Sequence, residues 1–157
     1  MTEAAHNAAL AGIYNLRVLA PDIATSGQPD ADELAAIAVA GYTLIINLGL
    51  HNAEYALVDE AGVVHALGMD YVHIPVAFDA PQPRDLQAFC AVMDANRGRR
   101  IWVHCAANKR VSVFVGLWLH QCRGVPRDEA FALQRDLWQP DAVWVRFIDD
   151  MLAAPSG

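Results

Sequence analysis

The segment Ile101–Val113, "IWVHCAANKRVSV", gathers residues able to do nucleophilic chemistry. Cys105 follows His104, and Lys109, Arg110 and Ser112 lie within the next seven positions. The apolar run up to His104 reads as a buried strand and Val111–Cys122 as an almost wholly apolar helix, so "CAANKR" is the loop between them. A helix N-terminus offers unpaired backbone N–H groups and a partial positive charge. That cradle holds an anion and lowers the pKa of a cysteine at its rim. A thiolate there can attack phosphorus to give a cysteinyl phosphate while the loop amides stabilise the equatorial oxygens. The plainer alternative is a small buried thiol capping a core strand. The strand-to-helix position and the preceding His104 favour the site.

Positioning such a loop requires a sheet. Short β-branched runs at Tyr42–Leu48, Tyr71–Val76 and Arg100–His104 read as buried parallel strands. Helical patterns alternate with them at Asp30–Ala40, at Ala53–Leu67 with Gly62 as a candidate break, and at Gln82–Asn96. Gly124 and Pro126 end the helix after Cys105, and two more follow at Arg127–Trp138 and Asp141–Leu152. This order predicts an α/β fold: a central, mostly parallel sheet with right-handed crossovers and helices on both faces. Ligands of such sheets bind outside the carboxyl ends of the strands, where the Cys105 loop lies.

The chain of 157 residues reads as a single domain spanning 1–157, without repeats or linkers. Its hydrophobic content of 55% suits a compact globule, and a net charge of −7 argues against nucleic acid as a general partner. The basic cluster Arg97, Arg99 and Arg100 falls where a helix C-terminus meets a strand and complements its dipole. No apolar run approaches the roughly 20 residues that span a bilayer, and the N-terminus does not read as a secretory signal. Three widely spaced cysteines, Cys90, Cys105 and Cys122, fit a reducing cytoplasm. No cysteine or histidine spacing suggests a metal site, and no cofactor is expected.

The motif "VHCAANKRVS" resembles the signature loop of the cysteine-dependent protein tyrosine and dual-specificity phosphatases, His-Cys-x5-Arg-Ser/Thr. The segment Ile23–Leu48, with its Gly-Gln-Pro turn and Ala-rich helix, is similar to the opening of the bacterial phosphatase-like branch. Tyr71–Phe89 looks like the segment bearing that family's general-acid loop. The resemblance implies a phosphatase-type α/β sandwich that hydrolyses phosphate monoesters or phosphoproteins, phosphotyrosine among them. It casts Cys105 as nucleophile, Arg110 and the loop Ala106, Ala107, Asn108 and Lys109 as phosphate binders, and His104 as the group tuning the thiolate. Ser112 would bind phosphate or donate to the thiolate, with a plain helix-start serine as the alternative. Asp79, in "AFDAP", is the expected general acid, Asp85 second. Gln28 and Glu54 follow strand ends and are weaker candidates for substrate contact.

One departure matters. The family's arginine is the sixth residue after the cysteine; here that residue is Val111, and Arg110 is the fifth. At a helix start one residue is a rotation of about 100°, which would carry the guanidinium off the concave side of the loop. Two outcomes stay open: a loop that bends to admit Arg110, or a weak or inactive anion- or phosphoprotein-binding domain. Rhodanese-like sulfur transfer is a third reading, disfavoured by the Gly-Gln-Pro opening. Trp118, Trp138 and Trp144 are expected in the core, and Cys90 and Cys122 as structural thiols or redox partners of Cys105. Oligomeric state has no signature.

Overall fold

In a computed structural model that describes residues 8–154, five strands form one sheet. They are β1 (Arg17–Ala20), β2 (Ile23–Ser26), β3 (Leu44–Asn47), β4 (Asp70–His73) and β5 (Ile101–His104), in the order β1-β2-β5-β3-β4. β1 runs antiparallel to β2 along one edge, and every other pairing is parallel. The registers align Ser26, His104, Asn47 and His73, so these four strands end along one line. Cys105 is the first residue beyond that line.

Helices cover both faces, as the strand–helix alternation predicts. α1 (Ala31–Val39) and α2 (Glu60–Ala66) bury Leu34, Ile37 and Val64 against Ala24, Ile45 and Trp102. The opposite face receives α3 (Pro83–Ala95), α4 (Lys109–Arg123), the short helices α5 (Arg127–Ala130) and α6 (Ala132–Leu137), and α7 (Ala142–Ala153). There Leu86, Phe89, Phe114, Trp118 and Trp144 pack on Leu44, Ile46, Ile101 and Val103. Arg110 through Trp118 are all buried, which makes α4 the central helix of that layer. Each fully buried aliphatic or aromatic side chain stabilises the fold by about 1.5–3 kcal/mol.

Several boundaries differ from the sequence reading. The helix expected over Ala53–Leu67 shortens to α2, because the Asp59 carboxylate caps it by accepting from the Gly62 N–H, and residues 51–58 form turns instead. The helix expected over Arg127–Trp138 breaks at Phe131, whose ring turns onto Gly116 of α4; a Cβ there would lie 2.8 Å from Phe131 Cδ1. Trp138 is therefore an extended, half-buried cap residue, while Trp118 and Trp144 do lie in the core. The edge strand β1 carries no alternation that would reveal it. The basic cluster follows α3 rather than closing its last turn. Arg97 pairs with Asp94, Arg99 with Asp70 and the Thr43 carbonyl, and Arg100 donates to the Pro21 and Ala40 carbonyls. No helix among the described residues is long and apolar enough to cross a membrane.

Candidate active site

The loop joining β5 to α4 is Cys105–Asn108, two residues shorter than the sequence suggests, because α4 already begins at Lys109. Neighbouring segments fix its shape. Gln28 N–H donates to the Ala106 carbonyl at 3.0 Å and Asn15 Nδ2 to the Ala107 carbonyl at 3.0 Å. Asn108 has a left-handed backbone (φ 66°), which asparagine tolerates better than most residues. Its Nδ2 donates to the Asn15 carbonyl and Thr25 Oγ1, both at 2.9 Å. The Asn108 side chain thus staples the loop to β2. Gly27 completes the clasp: a Cβ there would come within 2.6 Å of the Ala106 carbonyl oxygen.

With these carbonyls occupied, the N–H groups of Ala106 and Ala107 have no hydrogen-bond partner among the described residues. The first bond inside α4 runs from Ser112 N–H to the Asn108 carbonyl, so Lys109, Arg110 and Val111 keep the orphan N–H groups of a helix start. Five unpartnered donors therefore lie within six residues of Cys105, which is itself buried (1% exposed). Such an array suits an oxyanion.

Behind the loop lies a buried pair that the sequence did not reveal. His104 Nε2 sits 2.6 Å from Glu60 Oε2, with side-chain exposures of 0% and 1%. Glu60 Oε1 also accepts from Gln28 Nε2 at 2.7 Å. Burial pushes the Glu60 carboxyl up, but the hydrogen bonds from His104 and Gln28 and the His104 charge outweigh it, leaving its pKa below the usual carboxylate value. Facing a carboxylate at 2.6 Å, Nε2 is the donor of this pair, and the other ring nitrogen, Nδ1, lies 3.4 Å from the Cys105 carbonyl. Residues 28, 60 and 104 share no sequence spacing, and only the fold joins them.

Arg110 does not swing outward. It is 4% exposed, with Nη1 donating to the Val76 carbonyl at 2.8 Å and Nη2 to Tyr55 Oη at 3.1 Å. Its guanidinium carbon lies 5.7 Å from the ring centroids of Tyr55 and Phe78. A guanidinium has about five N–H donors, so roughly three remain for an anion. The same contacts anchor the segment that leads to Asp79. Val76 is held by Arg110, and the Phe78 carbonyl accepts from Trp144 Nε1 at 2.8 Å. Asp79 follows, exposed in a turn, and its carboxylate has no hydrogen bond among the described residues. Asp85 instead accepts from Gln82 N–H at the start of α3.

Other expected site residues are committed elsewhere. Lys109 Nζ rests 5.6 Å from the Trp138 ring centroid. Ser112 Oγ donates to the Lys109 carbonyl at 2.6 Å and accepts from Trp138 Nε1, so its proton is not offered to the thiolate. Gln28 serves Glu60, and Glu54 is exposed with no polar side-chain contact among the described residues. Cys90 has Cys122 as its neighbour, and burial followed by that contact pushes its thiol up to about 12. Cys122, near the far end of α4, is about 20 Å along the helix axis from the loop, so neither thiol is a redox partner for Cys105.

The geometry agrees with what the chain resembles. Residues 15–121 match the family model described as beta-lactamase hydrolase-like protein, phosphatase-like domain. A solved structure of a candidate phosphatase from Shewanella putrefaciens CN-32 shares 31% identity, covers 93% of this chain and 96% of its own, and superposes with a TM-score of 0.84. Tk-PTP in its active form shares 22% over 88% of this chain and 93% of its own, with a TM-score of 0.69. The core catalytic domain of the PP-IP phosphatase SIW14 from S. cerevisiae shares 16% over 87% and 85%, with a TM-score of 0.71. The last two, at such identities, speak to the fold. Among curated proteins, none matches the chain in sequence.

Proposed function

The chain belongs to the phosphatase-like domain family of beta-lactamase hydrolase-like proteins, a class of phosphoric monoester hydrolases, and we propose that it cleaves phosphate monoesters through a phosphocysteine on Cys105. The observation that carries this reading is the position of Arg110. Despite its early place in the sequence, its guanidinium is buried between Tyr55, Phe78 and the Val76 carbonyl, the latter two on the segment that leads to Asp79.

In the proposed cycle the Cys105 thiolate attacks phosphorus and the ester oxygen departs with a proton from Asp79. Asp79 then takes a proton from the water that hydrolyses the phosphocysteine. The N–H groups of Ala106, Ala107, Lys109, Arg110 and Val111, with the remaining Arg110 donors, hold the equatorial oxygens. His104, oriented by Glu60, sets the environment behind the nucleophile. Lys109 acts through its backbone N–H, since its side chain is engaged away from the loop, and Asn108 through the shape its side chain gives the loop.

Hydrolysis of a simple aryl phosphate, without added metal, by the wild-type protein beside Cys105→Ser tests the reading. Turnover abolished by the substitution supports it. Turnover that persists in Cys105→Ser, or no turnover by the wild type from mildly acidic to mildly basic pH, rejects it.

A further inference from the structure

Beside the signature loop lies an open cavity of about 450 Å³. Ala106 and Tyr55 are among its lining residues, and these two tie it to the site. Ala106 follows the nucleophile, and the Tyr55 hydroxyl accepts from Arg110 Nη2. Tyr14, Leu57 and Pro29 supply apolar walls. Asp30, exposed, and Glu33, half-buried, line it as well, and none of the lining residues is lysine or arginine. Tyr14, 60% exposed, presents an aromatic face to whatever enters.

From this we infer that Asp30 and Glu33 determine specificity, selecting phosphate monoesters whose leaving group is flat and apolar and carries positive charge at its outer end. The inference rests on the phosphatase reading, because it takes the cavity as the seat of the leaving group. A phosphoryl group held by the loop leaves the rest of the ester to lie along Ala106 and Tyr55, between the apolar walls. Its far end then reaches the two carboxylates. A cation there is attracted and desolvates little, whereas an anion, and still more a polyphosphate, is repelled by both.

The carboxylates also build the start of α1. Asp30 Oδ1 accepts from Glu33 N–H at 2.8 Å, and Glu33 Oε1 accepts from Asp30 N–H at 2.9 Å. Asparagine and glutamine preserve both acceptors, so Asp30→Asn with Glu33→Gln removes charge while keeping the cap. The charges can thus be tested apart from the fold.

The experiment uses two non-hydrolysable probes, a benzylphosphonate with a para-aminomethyl group and one with a para-carboxylate. Their binding to the wild-type chain and to the double variant is measured by calorimetry at about 0.1 M salt. The cationic probe should bind wild type about fivefold more tightly, and the preference should fall below about twofold in the double variant. Equal binding, tighter binding of the anionic probe, a preference unchanged in the double variant, or no binding of either probe overturns the assignment. Since the readout needs no turnover, it stays distinct from the aryl phosphate assay. Hydrolysis with the wrong preference sinks the inference alone, and binding with the right preference but no hydrolysis sinks the catalytic reading alone.

Discussion

Glu60 is the residue whose removal should be felt most widely, since it holds His104 and Gln28 together behind the loop. Its carboxylate accepts at 2.6 Å from His104 and at 2.7 Å from Gln28, with 1% of the side chain exposed. Glu60→Ala strands the His104 N–H in a dry site, and breaking a buried pair from one side costs about 3–5 kcal/mol. Against a typical domain stability of about 5–15 kcal/mol, that variant approaches unfolding. Glu60→Gln is milder. Its amide oxygen can still accept from His104, but its NH2 then meets the Gln28 donor, and the loss should be about 1–3 kcal/mol.

The pH dependence carries a definite sign. The folded Glu60 pKa lies below the ordinary 4.5, so its contribution is complete above 4.5 and disappears as pH falls through the lower folded value. Urea denaturation of wild type and Glu60→Gln should therefore show a gap near neutrality that narrows as the pH falls below about 4. Equal stabilities near neutrality, or a gap that widens in acid, would refute the reasoning.

Three further outcomes follow from packing and hydrogen bonds. Gly116→Ala drives a methyl to 2.8 Å from Phe131 and should lower stability by about 1–3 kcal/mol in urea titration, whereas Ala at the open Gly68 meets no neighbour; its left-handed φ of 82° makes that second change a control for backbone strain alone. Trp144→Phe removes the donor to the Phe78 carbonyl and loosens the Asp79 turn, so kcat for an aryl phosphate should fall several-fold, by about 3–10 times, with KM nearly unchanged. Asp79→Asn should cost about 10²-fold in kcat on a poor leaving group, while Asp85→Asn, at a cap, should cost only helix stability of about 0.5–1 kcal/mol.

The layered α/β architecture was legible because β3, β4 and β5 are short β-branched runs separated by helical stripes such as Leu86, Phe89 and Met93. The β1 edge was not, since two exposed residues between two half-buried ones carry no period. Helix limits failed where a tertiary contact overrode local preference, as at Phe131 on Gly116. In the site, Cys105 and its loop followed from their strand-to-helix position, and Asp79 was placed ahead of Asp85, which accepts from Gln82 N–H at the start of α3. The place of Arg110 illustrates the limit of spacing. Counting residues left open whether the guanidinium turns away or is admitted, whereas acceptors on Val76 and Tyr55 hold it buried. Glu60 was invisible, because nothing in a lone glutamate of a helical stretch announces a histidine 44 residues away.

The most direct test of the central claim is to trap the phosphorylated cysteine. Asp79→Asn protein is mixed with an aryl phosphate whose leaving group needs no proton, quenched in acid within the first turnover, and mapped by mass spectrometry. The mechanism predicts accumulation of one phosphoryl group on the peptide containing Cys105, because the same residue that serves departure also activates the hydrolytic water. Product released with no adduct at any time, or an adduct on a different residue, would contradict it.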